Sequence, residues 1–397
     1  MKRLLYYIFV FLSFCLVSCD KQDDTYGQFI VPGGYNYPAK PTAVKTQSGY
    51  YRVALSWDIP RDPAVKSVKV FWDNGSKSMD VDYASAVDGR VTAIVPDLED
   101  RSYTFNIINY DASGNQSLAS DVTVAPYGDG WLSTHAERKI VQAQMNGTEA
   151  EITMGSPMDE MVSTKFRYKD SKGNVVESKD ALSYLDYVIG LPDAMKGKLV
   201  EYQSCYCPVN GLDTIWSGNW VKASRAIAYN FDGKKATVTV TANQVRDQYS
   251  PDLIMDGIKD NPSSRYYSTN VSAYRNIFPK IIVIDTKDRD ENAMTFNSFK
   301  FYQDPDPEGQ TRRNIRSVYV YVGDDRFNPD DKNYASNFGE PVLKCNLTQA
   351  EAVQEFTLSE EKKGRYIAIV FRNSYSSAGY VDLWEFEAFG YVDGNVD

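Results

Sequence analysis

The sequence predicts an all-β protein made of several small β-sandwiches. Short segments of alternating apolar and polar residues recur along it, for example 51–57 (YRVALSW) and 67–72 (SVKVFW), and a period of two is the pattern of a half-buried strand. Turn-forming Gly, Asn and Asp residues separate these segments. The 397 residues suffice for two to four domains, and the 13% aromatic content argues against disorder.

Residues 38–126 carry the clearest early pattern. The Asn-Gly pair in DNGS (73–76) predicts a hairpin turn. Trp57 lies on an early strand, Leu98 precedes a turn, and Tyr103 begins a strand that alternates afterwards. This arrangement resembles a fibronectin type III domain, an immunoglobulin-like sandwich in which Tyr103 would anchor its strand as a tyrosine corner.

Residues 127–230 predict a second, degenerate sandwich of the same kind. The segments 148–154 (TEAEITM) and 163–174 (STKFRYKDSKGN) again alternate and end in turn formers. A repeat of about a hundred residues is the length of such a sandwich. Residues 138–147 (RKIVQAQMNG) fit either a strand or a short helix.

Residues 236–393 carry a third pattern. Its pieces follow in order: an Asp-Gly loop at 256–257, IIVID (281–285), IRSVYVYVGDD (315–325), RYIAIVF (365–371) and EFEAFG (385–390). This order resembles a discoidin domain, also called coagulation factor 5/8 type C, of which the family 32 carbohydrate-binding modules are one branch. The resemblance implies a jelly-roll β-sandwich following the two fibronectin-like sandwiches.

The N-terminus predicts export. Lys2 and Arg3 precede about fifteen apolar residues, the layout of a signal peptide at residues 1–18. Residues 16–19 (LVSC) resemble the bacterial lipobox, which implies a lipidated Cys19; a signal peptide that happens to contain a cysteine is the alternative. Residues 19–37 predict a flexible tether, and DKQDD (20–24) resembles an acidic tag for the outer face of the outer membrane. We therefore expect an outer-membrane lipoprotein that faces the exterior.

Charge and cysteine content exclude other classes. Loss of the leader would take the formal charge from −10 to −12, and so acidic a chain without a basic patch argues against nucleic-acid binding. Once Cys15 and Cys19 are set aside, Cys205, Cys207 and Cys345 remain, too few for a disulfide scaffold. The spacing of Cys205 and Cys207 favours free thiols over a metal knuckle.

Catalysis is not expected. The single histidine, His135, lies in WLSTHAERK, and the chain has no Gly-x-Ser-x-Gly elbow, phosphate loop or dinucleotide fingerprint. One histidine also cannot build an ordinary zinc site. A glycosidase pair of carboxylates stays open, because Asp and Glu are abundant.

The loop 253–268 (LIMDGIKDNPSSRYYS) has two interpretations. It resembles the calcium loop of discoidin-type carbohydrate-binding modules. This resemblance implies a structural calcium ion held by Asp256, Asp260, Ser263 or Ser264, and Glu385. Alternatively, Asp256 and Asp260 only accept hydrogen bonds from turn amides.

The resemblance also places a ligand site in the loops at one end of the sandwich. Sugars would stack on aromatic rings there, while Arg and Asn side chains bond the hydroxyls. The candidate residues share this end of the predicted domain: Tyr266, Tyr267, Tyr274, Phe278, Arg372, Asn373, Tyr375 and Tyr380. For each tyrosine, packing against its own loop is the competing interpretation.

The expected function is glycan binding at the cell surface. The two leading sandwiches would act as spacers, and glycan-uptake proteins of the outer membrane are expected as partners. An adhesive protein that binds a protein partner is the alternative, and a glycosidase is the second alternative.

Overall fold

The computed structural model describes residues 37–178, 182–183, 185–242, 249–261, 263–268, 276–286, 293–304 and 313–392. Almost every described element is a β-strand, so the all-β prediction is confirmed. The described chain divides into two units by its contacts: residues 37–134 with 207–214, and the described parts of 135–206 and 215–392. No helix in the described ranges is long and apolar enough to cross a membrane.

The first unit folds as two antiparallel sheets around one core. Its described elements are β1 (Lys45–Gly49), β2 (Arg52–Asp58), β3 (Val65–Trp72), β4 (Lys77–Val81), β5 (Arg90–Val95), β6 (Tyr103–Asp111), β7 (Ser120–Val124), the helix α1 (Asp129–Leu132) and a 3-10 turn (Tyr83–Ser85). The sheet orders are β1-β2-β5 and β4-β3-β6-β7. Alternate residues of both sheets form the core, in which Trp57 is fully buried.

Two local predictions hold in this unit. The hairpin between β3 and β4 turns at residues 73–75, which all have positive φ, so the Asn-Gly signal is confirmed. The Tyr103 hydroxyl accepts a hydrogen bond of 3.0 Å from the Glu99 N–H. This is the upstream backbone contact that defines a tyrosine corner.

Residues 207–214 belong to the first unit although they follow β-strands of the second. The Arg52 Nε atom donates to Asp213 at 3.0 Å, and the Tyr127 hydroxyl donates to the Asp213 carbonyl at 2.6 Å. Local sequence patterns do not predict this exchange, because the contacts join residues far apart in the chain. The predicted boundary near residue 127 stays a prediction.

The second unit begins with two further sheets. Their strands are β8 (Ile140–Asn146), β9 (Glu149–Met154), β10 (Met161–Lys169), β11 (Val175–Glu177), β12 (Leu182–Ser183), β13 (Val188–Pro192), β14 (Glu201–Tyr206), β15 (Ile215–Trp216) and β16 (Val221–Lys222). The order β13-β9-β8 forms one sheet, and β11-β10-β14-β15 forms the main path of the other. Residues 140–146 are therefore a strand and not a helix.

The rest of this unit is a sandwich of a four-stranded and a five-stranded sheet. Its elements are β17 (Tyr229–Asn230), β18 (Thr237–Val240), β19 (Tyr266–Tyr267), β20 (Lys280–Asp285), β21 (Met294–Tyr302), β22 (Ile315–Gly323), β23 (Leu343–Asn346), β24 (Val353–Gly364), β25 (Tyr366–Ser374), β26 (Asp382–Leu383), β27 (Glu385–Val392), the helix α2 (Tyr334–Asn337) and 3-10 turns (Gly233–Lys235 and Pro251–Met255). The orders are β17-β27-β21-β24 and β18-β20-β25-β22-β23, with β19-β26 as a separate pair. One large apolar core fills the space between them.

The three cysteines of the described chain are free thiols. Cys205 is buried on β14, whereas Cys207 and Cys345 are partly buried. Burial raises the pKa of the Cys345 thiol to about 12. Such a thiol stays protonated and unreactive at neutral pH.

Candidate functional site

The loops of the last sandwich meet at one end, which we call the loop end. Three pairs of strand-end residues that face each other in the sheets mark this end: Lys280 with Phe371, Ile315 with Ser374, and Tyr302 with Glu385. The described loop end comprises 249–261, 263–268, 276–279, 303–304, 313–314 and 374–384. Tyr274 lies outside the described residues.

Three of the five predicted metal ligands come together here. The Ser264 hydroxyl donates to Asp256 Oδ2, and the other oxygen of Asp256 accepts from the Ile258 N–H at 2.8 Å. The chain turns at Gly257, whose φ of 83° favours glycine. The Gly257 N–H then donates to Glu385 Oε1 at 3.1 Å. We call Asp256, Ser264 and Glu385 the carboxylate clamp.

The other two predicted ligands lie apart from the clamp. Asp260 and Ser263 are exposed. The Ser263 N–H donates to Asn261 Oδ1 at 2.9 Å, which is a local turn contact. Asp256 itself accepts from a turn amide, that of Ile258, as the turn interpretation predicts, and Asn261 accepts from another turn amide.

Glu385 has an unusual environment for a carboxylate. Its side chain is 3% exposed, and Oε2 has no hydrogen-bond partner among the described residues. Burial raises the pKa of Glu385 to about 8; the Gly257 N–H opposes this, and the negative charge of Asp256 adds to it. Such a group is stabilised by a proton or a bound cation.

The clamp fits calcium in part. Two carboxylates and a hydroxyl are oxygen ligands of the type that Ca²⁺ prefers, and six or more are needed. The described residues contain no cluster of three or more His, Cys, Asp or Glu side chains that could hold a metal. Backbone carbonyls and water would have to supply the remaining oxygens.

The two adjacent tyrosines of β19 face opposite sides. Tyr266 is 1% exposed, and its ring stacks on Phe371 with centroids 6.3 Å apart. Its position in the core differs from the exposed lip that the sequence suggested. The reason is its pairing with Leu383, which turns the ring inward.

Tyr267 lies on the other side, among the loops. It is 3% exposed, and its ring centroid lies 5.7 Å from Tyr249 and 5.8 Å from Tyr380. The two flanking rings are partly exposed. We call these three residues the tyrosine cluster; within it, the surface available to a ligand belongs to Tyr249 and Tyr380.

A buried ion pair lies beneath the tyrosine cluster. Arg265 Nη1 lies 2.9 Å from Asp382 Oδ2 and 3.7 Å from Asp304 Oδ2. The guanidinium carbon is 5.2 Å from the centroid of Tyr249 and 5.7 Å from that of Tyr267. Arg313 lies 5.2 Å from the Tyr267 ring centroid. Two cations and two carboxylates therefore underlie the rings.

The Arg265–Asp382 ion pair includes polar atoms that make no hydrogen bond within the described structure. Within the described structure, Arg265 Nε and Asp382 Oδ1 are buried without a hydrogen-bond partner. Burial raises the pKa of Asp382 to about 7, and Arg265 opposes that rise. Polar atoms of this kind are costly unless water or a ligand bonds them.

The remaining predicted ligand residues are dispersed. Arg372 Nη1 donates to the Tyr334 hydroxyl at 2.6 Å, and the Arg372 guanidinium carbon lies 5.0 Å from the Tyr319 ring centroid, on the outer face of the five-stranded sheet. Asn373 is an exposed ladder residue opposite Ser317. The Tyr375 hydroxyl donates to the Leu347 carbonyl at 2.8 Å.

Of the predicted lip, the structure thus brings together Tyr267 and Tyr380. Phe278 packs against the main core. The sequence reasoning missed Tyr249, Arg265, Arg313 and Asp382. One available signal was Asp382 itself, since an acidic residue in the apolar run YVDLWEF predicts a buried partner.

His135 occupies a packed position. Its Nε2 atom lies 3.3 Å from Glu160 Oε2, and its ring centroid is 4.8 Å from that of Tyr206. The absence of catalysis remains an expectation.

Comparison with known proteins gives one family match. Residues 19–215 match the model of a family described as a domain of unknown function, DUF4998. No curated protein matches the chain.

Three solved structures illustrate the likenesses of fold. A SusE-like protein has 10% identity over 88% of this chain and 96% of its own, with a TM-score of 0.33. The family 32 carbohydrate-binding module of NanJ from C. perfringens, in complex with galactose, has 10% identity over 41% and 99%, with a TM-score of 0.32. An F5/8 type C domain from Bacteroides fragilis has 13% identity over 42% and 97%, with a TM-score of 0.29. These scores lie below 0.5, so the likenesses say nothing about what this chain binds.

Proposed function

We propose that this protein binds glycan at a bacterial cell surface, through the loop end of its last sandwich. The observation that carries the proposal is the tyrosine cluster above the Arg265–Asp382 pair. Partly exposed aromatic rings lie there beside buried charged groups, on loops that the sandwich holds in place. Binding sites commonly have this arrangement.

The chemistry of this cluster suits a sugar. The C–H faces of a pyranose can stack on the Tyr249 and Tyr380 rings, since tyrosine offers a flat apolar surface with a polar tip. Arginine donors and carboxylate acceptors can bond the hydroxyls. The two cations and two carboxylates balance in charge, which favours a neutral saccharide over an acidic one.

A structural calcium ion at the carboxylate clamp is part of the proposal. It is supported by the unpartnered Oε2 atom of buried Glu385 beside Asp256. When bound, calcium would neutralise these carboxylates and tie the Asp-Gly loop to β27. The ion would support the loop end without contacting the sugar.

The lipid anchor is a further part of the proposal. It is supported by the lipobox-like residues 16–19, and the family match begins at Cys19. A diacylated cysteine would hold the protein to the outer membrane, because several acyl chains anchor far more firmly than one. Glycan-uptake proteins of the same membrane are the proposed partners.

Retention on a polysaccharide panel tests the proposal. Purified protein without its leader would be run in gels containing single neutral or acidic polysaccharides, with calcium or with chelator. We expect retardation on at least one neutral polysaccharide and no released oligosaccharide. Retardation on none, with binding to host matrix proteins, would favour the adhesive alternative, and released oligosaccharide would identify a glycosidase.

A further inference from the structure

A second cavity of the same unit is lined by residues other than those of the tyrosine cluster. It is a cleft of about 470 Å³, between the β8–β9 strand pair and the outer face of the β17-β27-β21-β24 sheet. This volume falls within the range of small-molecule sites, roughly 300–1,000 Å³. We propose that the cleft is a second saccharide site, which takes one or two neutral sugar units and is distinct from the tyrosine cluster.

Three aromatic rings line the cleft, each with a lysine beside it. Lys196 Nζ lies 4.9 Å from the centroid of Tyr229, and Lys259 Nζ lies 4.8 Å from that of Tyr302. Lys300 Nζ lies 5.4 Å from the centroid of Phe389. The wall therefore combines the partly exposed rings of Tyr229 and Tyr302 with ammonium donors, the two kinds of group that a sugar ring and its hydroxyls need.

Three carboxylates offset the lysines. Glu387 Oε1 lies 2.5 Å from Lys259 Nζ, and its other oxygen accepts from the Tyr302 hydroxyl at 2.7 Å. Glu355 pairs with Lys300 at 3.0 Å, and Glu151, the third acid of the wall, accepts from an asparagine amide. The lining thus carries three positive and three negative side chains. A charged ligand would break this balance, so the fitting ligand is neutral.

The amides of the wall are held in fixed orientation. Gln142 Nε2 donates to Gln144 Oε1 at 2.7 Å and, across the cleft, to Glu355 Oε1 at 2.9 Å. Ser298 Oγ donates to Gln144 Oε1 at 3.1 Å. Because these groups are already oriented, a ligand would pay little entropy to order them.

The test separates this site from the loop end. Binding of lactose, maltose and cellobiose would be titrated calorimetrically, with glucuronate as the charged comparator. Four proteins would be compared: wild type, Tyr380→Ala, the cleft double variant Gln142→Ala/Lys300→Ala, and Val141→Ala. The last is a matched control, because Val141 is half exposed on the same strand and does not line the cleft. Thermal unfolding would confirm that each variant folds.

We expect one of the neutral disaccharides to bind at a site that Tyr380→Ala retains. The double variant should weaken that site at least tenfold, and Val141→Ala should leave it unchanged. Binding lost only in Tyr380→Ala would overturn the second site and leave the proposed function standing. Binding lost only in the double variant would support the cleft and would show that these disaccharides do not occupy the loop end. Preference for glucuronate, or no binding by wild type, would overturn the cleft proposal.

Discussion

Glu385 shows how one buried carboxylate can couple stability to pH. Folding raises its pKa from the ordinary value of 4.5 to about 8 through burial. Between these values the folded state holds more protons than the unfolded state, so the free energy of unfolding falls as pH rises. Asp382, with a pKa raised to about 7, acts in the same direction.

We predict that without calcium the wild-type protein is less stable at pH 8 than at pH 5. Glu385→Gln should reduce the slope, because glutamine has no proton to lose, and Asp382 should leave a residual slope. Urea denaturation at several pH values in chelator measures this. The exposed Glu360→Gln on β24 is the control. Equal slopes in wild type and Glu385→Gln would refute the assignment.

Calcium should reverse this loss of stability at pH 8. Calcium at a hundredfold excess over its Kd would raise the free energy of unfolding by about 2.7 kcal/mol, if it binds only the folded state. The effect should disappear in Asp256→Asn and Glu385→Gln and persist in Asp260→Asn. If thermal unfolding shows no shift with calcium, Asp256 serves only as a turn acceptor.

At the scale of elements, local patterns predicted strands better than they predicted contacts between strands. The alternation in residues 51–57 and 67–72 predicted β2 and β3. The Asn-Gly pair predicted the hairpin that joins β3 to β4. Local sequence carries this information because period and turn chemistry act within a few residues. The site depended on the β19–β26 pair, which joins residues more than a hundred positions apart. No local pattern contains that pairing, so Tyr266 was expected at the surface and Arg265 was missed.

The tyrosine corner of β6 gives a prediction at this scale. Tyr103→Phe removes the hydroxyl that accepts the Glu99 N–H and keeps the buried ring. We expect a loss of about 1 kcal/mol in the free energy of unfolding of the first unit. Tyr110→Phe on the same strand is the control, and chemical denaturation is the measurement. A loss equal to that of the control would show that the corner contributes nothing.

At the scale of the whole molecule, the proposed protein has a lipid anchor at Cys19 and a glycan-binding site at the loop end of the last sandwich. The leading sandwiches would act as spacers between the two, a role that stays a prediction. Because the chain is strongly acidic, non-specific binding to anionic surfaces is disfavoured. Retention at the membrane should therefore depend on the lipid.

Cys19→Ala should abolish this retention. Cells fed labelled palmitate would be fractionated, and wild type should carry label in the outer membrane. Cys15→Ala, four residues earlier in the leader, is the matched control and should remain labelled. Label that survives in Cys19→Ala would show that the anchor is wrong.

Substitution at the tyrosine cluster tests the central claim most directly. The dissociation constant for the retained neutral glycan would be measured for wild type, Tyr380→Ala and Tyr366→Ala, the last a partly buried tyrosine at the opposite end of the sandwich. The account predicts about tenfold weaker binding by Tyr380→Ala, a loss of about 1.4 kcal/mol, with little change in Tyr366→Ala. Wild-type affinity in Tyr380→Ala would contradict glycan binding at the loop end.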